Sequence, residues 1–71
     1  MSEEISRQEQ VRMLKGMEHE TKELEYHAYW VAHYAGRLDM QDVRSKHLAL
    51  RTKFQQQLKQ IRIKIIQVEA E

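Results

Sequence analysis

The feature that most constrains the fold of this chain is a nearly unbroken series of mainly apolar residues, spaced alternately three and four positions apart. This spacing keeps side chains on one side of an α-helix and is the pattern of a left-handed helical seam. The first half of the series comprises Leu14, Met17, Thr21, Leu24, Ala28, Val31, Ala35 and Leu38, and the second half comprises Met40, Val43, His47, Leu50, Phe54, Leu58, Ile61, Ile65 and Val68. No proline interrupts it. The series predicts an all-α protein with two long helices.

Local signals predict where these helices begin and end. Ser6 and Glu9 have the spacing of a capping box, in which the serine hydroxyl accepts from the backbone N–H three residues later. Gly36 follows the first series and is interpreted as the left-handed residue that stops helix 1, with Leu38 packing back toward that helix. Asp39 is then expected to cap helix 2. The chain therefore folds back on itself just after this glycine.

The predicted architecture is an antiparallel two-helix hairpin with coiled-coil-like packing. Helix 1 is expected over residues 6–35, the turn over 36–39 and helix 2 over 39–69, so that 6–71 form a single domain after a disordered N-terminus, 1–5. A chain of 71 residues buries only about 60% of the surface that its unfolded chain exposes, and without cysteine it has no disulfide to stabilise it. We therefore expect the hairpin to dimerise into a four-helix bundle.

Folding the chain about its centre also predicts which charged residues face each other. Glu25 comes near Arg51 and Glu20 comes near Lys53, as expected for the flanking positions of antiparallel helices. Exposed pairs of this kind are each worth only about 0 to 1 kcal/mol, but together they favour one register of the hairpin over others.

The segment Ile61–Val68 is open to two interpretations. Its residues alternate between apolar and polar and several are β-branched, which is typical of a half-buried strand. The same residues continue the helical series, and a lone strand would have no sheet to join. Helix is the favoured interpretation, and the strand stays open from the sequence alone.

The densest group of chemically distinctive residues lies in helix 1. Its members are Tyr26, Tyr29, Trp30, His33 and Tyr34. Most of them fall away from the apolar series, and amphipathic aromatic side chains are frequent anchors of protein interfaces. These residues are therefore predicted to form an interface, either across a homodimer or with a different partner protein, and both interpretations remain open.

Helix 2 suggests an alternative function. Seven lysines and arginines occur between residues 44 and 64 without any acidic residue, and such a run could neutralise several phosphates of a nucleic acid. The residues expected to make those contacts are Arg44, Lys59, Arg62 and Lys64. Because Arg51 and Lys53 are predicted to pair with glutamates, and because the aromatic residues lie on the other helix, nucleic-acid binding is the second choice.

Several classes of function are excluded by residue types. The chain has no cysteine and no glycine-rich phosphate loop, and its hydroxyl residues have no evident His/Asp partners. His19, Glu23 and His27 share one side of a helix, but a helical zinc site normally needs a further ligand from elsewhere, so a solvated pair is the preferred interpretation. We therefore predict no catalytic site, no cofactor and no metal.

The location of the protein is predicted from its N-terminus and its hydropathy. The acidic N-terminus has no apolar run behind it, and no apolar stretch approaches the roughly 18 to 20 residues that cross a bilayer. The sequence thus predicts a cytoplasmic, regulatory protein without a membrane partner, acting as an adaptor, chaperone or inhibitor of another protein.

Overall fold

The computed structural model describes residues 5–71 and shows two long antiparallel helices joined by a tight turn. Helix α1 spans Arg7–Arg37 and helix α2 spans Gln41–Glu69. The hairpin measures 52 × 23 × 16 Å, and no strand occurs among the described residues. The predicted helical hairpin is therefore confirmed, and the segment 61–68 is helical. Neither helix of this described part has a stretch both long and apolar enough to cross a bilayer.

The open end of the hairpin begins with the predicted helix cap. The hydroxyl of Ser6 accepts a hydrogen bond from the backbone N–H of Glu9 at 3.2 Å, which satisfies one of the four free donors of the first turn. The guanidinium of Arg7 donates to the backbone carbonyl of Glu71, so the first turn of α1 is joined to residue 71 across the open end. Residues 1–4 of the predicted disordered N-terminus lie outside the described part.

The turn differs from the sequence-based prediction in the residue that ends α1. Gly36 is helical, and α1 continues to Arg37. Asp39 takes the left-handed conformation instead, with φ 58°. The N–H of Met40 donates to the carbonyl of Ala35 at 2.8 Å, the longer bond of a Schellman motif. The predicted stop is therefore present but lies on Asp39, because aspartate tolerates the left-handed region better than most side chains.

Two further expectations at the turn are wrong. Asp39 does not cap α2, since its carboxylate accepts from the side-chain amide of Gln41 at 3.1 Å and α2 follows Met40 without a side-chain cap. Leu38 does not pack back on α1 and is exposed. Because Asp39 is the left-handed residue, Leu38 precedes it and occupies the C-cap of α1. The side chain of Leu38 therefore stays in solvent.

The face of α2 that packs on α1 is the predicted one. Its buried and half-buried members are Val43, His47, Leu50, Phe54, Leu58, Ile61, Ile65 and Val68. Only Met40, at the start of the predicted series, is exposed. His47 is half-buried, and its Nδ1 donates to the carbonyl of Val43 at 2.9 Å. It is therefore a hydrogen-bonded histidine at the edge of the core.

The face of α1 that packs on α2 is rotated about the helix axis relative to the predicted face. Its buried and half-buried members are Val11, Leu14, Glu18, Thr21, Glu25, Ala28, Ala32 and Ala35. Ala32 is 3% exposed, whereas the neighbouring Val31 is 38% exposed. Met17, Leu24 and Val31, which the sequence assigned to the interface, therefore lie beside it.

Ion pairs across the hairpin explain why α1 is turned in this direction. The carboxylate of Glu18 lies 2.8 Å from Nε of Arg62, and that of Glu25 lies 3.6 Å from Nε of Arg51. Both glutamates must lie toward the basic α2 to reach these cations. The predicted pair of Glu25 with Arg51 is confirmed, and each pair of this partly exposed kind is worth about 0 to 1 kcal/mol.

The second predicted pair, Glu20 with Lys53, is not formed in the described part of the chain. The rotation of α1 about its own axis that brings Glu18 and Glu25 toward α2 moves Glu20 away from it. Glu20 is consequently exposed on the outer flank of α1, with no cation of the described residues within 4 Å.

Candidate functional site

Five ring-bearing side chains of α1 form one continuous group, called the aromatic cluster below. Its members are Tyr26, Tyr29, Trp30, His33 and Tyr34. Trp30 is the centre, with centroid distances of 6.0 Å to Tyr26, 5.4 Å to Tyr29, 5.4 Å to His33 and 5.8 Å to Tyr34. The structure thus brings together all five residues that the sequence predicted for an interface.

The aromatic cluster results from helical spacing alone. Tyr26, His33 and Tyr34 lie three or four positions from Trp30, where side chains adjoin on a helix, and Tyr29 directly precedes it in the chain. Tyr29 and His33 meet the indole edge to face, with interplanar angles of 82° and 80°, the geometry that the ring quadrupole favours. Because every member belongs to α1, all the ring-to-ring contacts of the cluster lie within one helix.

Trp30 is half-buried although it lies on the side of α1 opposite the helix interface. Its neighbours cover the indole so completely that Nε1 is buried, and no acceptor among the described residues reaches it. A buried indole N–H usually has a hydrogen-bond partner, and leaving such a donor unpaired costs about 1 to 3 kcal/mol. The centre of the cluster therefore holds an unsatisfied donor.

The tyrosines around Trp30 remain open to solvent. Tyr26 and Tyr34 are 58% and 59% exposed, and Tyr29 is 41% exposed. Single exposed aromatic residues are ordinary, but several in contact form an apolar patch of the kind that marks an interaction surface. The cluster is thus both preformed and accessible.

Tyr29 connects the aromatic cluster to α2. The guanidinium carbon of Arg51 lies 5.0 Å from the centroid of the Tyr29 ring, within the range of a cation–π contact. Glu25 holds Arg51 in this place through their ion pair, and Gln55 donates to the same carboxylate at 3.0 Å. The ring of Tyr29 is therefore in contact with Arg51 of α2 and with Trp30 and His33 of α1.

Two open clefts adjoin Tyr29. One has a volume of about 300 Å³ and is lined by Tyr29, Ala32, His33, Gly36, Arg37, Arg44 and Leu48. The other has a volume of about 280 Å³ and is lined by Lys22, Glu25, Tyr26, Tyr29, Trp30 and Arg51. In the first cleft, neither Arg37 nor Arg44 has a carboxylate of the described residues within 4 Å. That cleft is therefore lined both by apolar side chains and by two arginines without a carboxylate partner.

Gly36 has a role that sequence reasoning missed. A Cβ atom at this position would lie 3.3 Å from Cδ of Arg44 and 3.4 Å from its Nε. The glycine therefore allows the side chain of Arg44 to cross α1 at close range. Nothing in the local sequence indicates this contact, because the two residues are brought together only by the turn.

The four cations proposed for nucleic-acid contacts do not form one surface. Arg62 is paired with Glu18, and Arg44 lines the cleft beside Gly36. Lys59 and Lys64 are both exposed, but five residues separate them, which corresponds to about 140° around a helix. The structure thus distributes these side chains around α2.

The histidines of α1 assemble no metal site in the described part of the chain. No group of three or more side chains that could ligate a metal ion is found there. His27 lies 3.9 Å from Glu23 in an exposed pair, as the spacing suggests, and His19 does not join them. These residues therefore belong to the solvated surface of α1.

A second exposed surface of α1 was not predicted, and it is called the aliphatic stripe below. It consists of Met17, Leu24 and Val31, each seven residues from the next and each exposed. The sequence assigned these residues to the interface with α2, since they satisfy the three-four spacing as well as the residues actually buried. The signal that could have revealed them is that α1 has apolar residues in more rows than one partner helix can cover.

No family model, no curated protein and no solved structure matches this chain. A functional proposal therefore rests on the surfaces described above.

Proposed function

We propose that this chain is a non-enzymatic, cytoplasmic interaction module that acts as an adaptor, chaperone or inhibitor by binding a partner protein through the aromatic cluster. The observation that supports the proposal best is Trp30, centred among four rings on an exposed helix surface with its indole N–H unpaired. Tryptophan and tyrosine near the centre of a patch supply most of the binding energy in typical interfaces. A partner carbonyl that displaced one of the covering rings would also satisfy the buried free donor.

The cleft beside Tyr29 supports a partner of defined chemistry. Ala32 and Leu48 in its lining suit an apolar side chain, while Arg37 and Arg44 suit a carboxylate. We expect the partner to present a large apolar residue next to an acidic one. Charge complementarity of this kind raises the rate of association and lowers the affinity for basic competitors.

Nucleic-acid binding by α2 is the alternative, and it has less support. The basic run of α2 favours it, but Arg62 is engaged by Glu18 and the exposed lysines point in different directions. The two proposals depend on different helices, so one set of variants separates them.

The test begins with affinity capture from the native host, using wild type, Trp30→Ala and Tyr29→Ala. We expect one protein to be retained by wild type after nuclease treatment and lost with both variants. Measured with that protein in purified form, Trp30→Ala should raise Kd by roughly thirtyfold or more, the effect of losing a hot-spot residue worth about 2 kcal/mol. Ile63→Ala is the matched control, because Ile63 is an exposed apolar residue of α2 outside the cluster.

The opposite pattern would support the alternative. If the retained material is nucleic acid, and if Lys59→Glu and Lys64→Glu release it while Trp30→Ala does not, the aromatic cluster is not the binding site. Circular dichroism of each variant checks that helicity is retained, so that loss of binding is not loss of fold.

A further inference from the structure

The isolated hairpin exposes more surface than a compact monomer of its mass. Its accessible surface is 5980 Å² for a chain of 8.6 kDa, whereas the scaling law for folded monomers gives about 4,700 Å². The surplus is therefore about 1,300 Å². A standard interface covers about 800 Å² on each partner. The surplus is thus large enough for a second chain to cover a full interface.

The aliphatic stripe is the part of this surplus that is built like a helix interface. Met17, Leu24 and Val31 repeat every seven residues, the period at which helices pack along their length. The stripe lies directly beside the face that contacts α2. Helix α1 therefore has apolar residues for packing against two helices but packs against only one. A helix with so wide an apolar arc is typical of a bundle rather than of a surface helix.

We propose that the occupant of the aliphatic stripe is the same stripe of a second copy, packed antiparallel about a two-fold axis through Leu24. Leu24 is the midpoint of the stripe, with Met17 seven residues before it and Val31 seven residues after it. An antiparallel two-fold pair therefore sets Leu24 against its own equivalent and Met17 against Val31 of the second copy. The stripe is self-complementary, as an isologous interface requires.

The row that flanks the stripe on its outer side supports the same axis by its charges. This row consists of Met13, Glu20, His27 and Tyr34, again seven residues apart and all exposed. The same axis sets Glu20 within one residue of His27 of the second copy, and Met13 within one residue of Tyr34, an offset of about 1.5 Å along the helix. An acid thus meets an imidazole and an apolar residue meets a ring. Glu20 is also the carboxylate for which the described part of the hairpin provides no cation.

The surroundings of the stripe accommodate the second chain. A groove of about 410 Å³ lies beside Met17, with Leu14, Thr21 and Ile61 among its lining residues. In the antiparallel pair, this groove receives Val31 of the second copy. Trp30 lies about 100° around α1 from Val31, so its indole is outside the stripe, although Tyr34 of the aromatic cluster belongs to the flanking row. The dimer therefore shares Tyr34 with the aromatic cluster and leaves Tyr26, Tyr29 and Trp30 outside the pairing.

Light scattering coupled to size exclusion tests the dimer with the intact chain. Wild type should give about twice 8.6 kDa. Leu24→Glu should weaken dimerisation by about 100-fold or more, because both copies place a carboxylate on the axis. Its helicity should persist, since Leu24 lies outside the hairpin core. The matched control is Ile63→Glu, at an apolar site of α2 that is 47% exposed against 48% for Leu24, and this variant should stay dimeric.

Cysteine cross-linking locates the axis, because the chain has no cysteine of its own. Leu24→Cys should form a disulfide-linked dimer under mild oxidation, whereas Lys22→Cys, on the opposite side of α1, should not. Glu20→Lys should weaken the dimer, and combining it with His27→Glu should restore it.

Three results would overturn the proposal. They are a monomeric wild type at micromolar concentration, a dimer that survives Leu24→Glu, and cross-linking through Lys22→Cys in place of Leu24→Cys. The last result would assign self-association to the side of the aromatic cluster.

Discussion

Replacing the two glycines by alanine gives a sensitive test of the turn, because the sequence and the structure predict opposite outcomes for Gly36. If Gly36 were the left-handed stop of α1, alanine there would destabilise the protein by about 1 to 2 kcal/mol. In the structure both glycines are helical, and no glycine has positive φ among the described residues. Gly16 is the matched control, because a Cβ there meets nothing within 4 Å.

The magnitudes follow from propensity and from one contact. Alanine is favoured over glycine inside a helix by about 0.5 to 1 kcal/mol, so Gly16→Ala should stabilise by that amount. At Gly36 the new Cβ would lie 3.3 Å from Cδ of Arg44, slightly closer than the optimum of about 3.5 to 4.0 Å. Arg44 is exposed and can move by a few tenths of an ångström. We therefore expect Gly36→Ala to gain only about 0 to 0.5 kcal/mol.

Urea and thermal denaturation followed by circular dichroism, at one fixed protein concentration, measure both effects. For a domain of this size, a gain of 1 kcal/mol raises Tm by roughly 4 to 8 °C. In an Arg44→Ala background the contact is absent, so Gly36→Ala should approach the gain of Gly16→Ala. A loss of about 1 kcal/mol or more on Gly36→Ala in both backgrounds would refute the helical assignment of this residue.

Two further predictions concern the hairpin core and the first helix cap. Ile65→Ala should lower the free energy of unfolding by about 2 to 5 kcal/mol, because Ile65 is 7% exposed and the change leaves a cavity. Ile66→Ala, at a residue that is 66% exposed, should lower it by less than about 1 kcal/mol. Equal losses for the two variants in urea denaturation would contradict the observed packing of α2 on α1. Ser6→Ala should lower the free energy of unfolding by about 0.5 to 2 kcal/mol, because it removes the hydrogen bond from the Glu9 N–H. Ser6→Asp should retain most of the stability. An unchanged denaturation midpoint for Ser6→Ala would mean that this cap does not contribute.

The helices and the hairpin could be predicted from the sequence because their causes are local. The three-four spacing, the Ser6 cap and the absence of proline each act within one or two turns of helix. The face of α2 was also predictable, since only one row of large apolar residues runs from Val43 to Val68. The aromatic cluster follows for the same reason, because all its contacts lie within four residues of Trp30.

The orientation of α1 could not be predicted because two rows satisfy the same spacing. Leu24 and Val31 have larger apolar side chains than Ala32, so a pattern read alone selects them for the interface. In the folded hairpin, small residues allow close approach of the helices, and Glu18 and Glu25 reach cations of α2. These advantages depend on contacts with α2, and the residue spacing within α1 gives no information about those contacts.

The position of the turn escaped prediction for a related reason. Glycine is the commonest left-handed residue at a helix end, so Gly36 was the natural choice over Asp39. The structure uses Gly36 for the close passage of Arg44 instead. That requirement arises from contact between two helices, and sequence reasoning about one helix end has no access to it.

Trp30 gives this protein an optical reporter at the place where a partner is proposed to bind. It is the only tryptophan in the chain, so all indole fluorescence arises from the centre of the aromatic cluster. Emission should respond to a hydrogen bond at Nε1 and to changes in the covering rings. Docking on the cluster should therefore shift the spectrum, whereas pairing along the aliphatic stripe, which reaches the cluster only at Tyr34, should shift it less. One unlabelled sample could thus distinguish two binding events by wavelength.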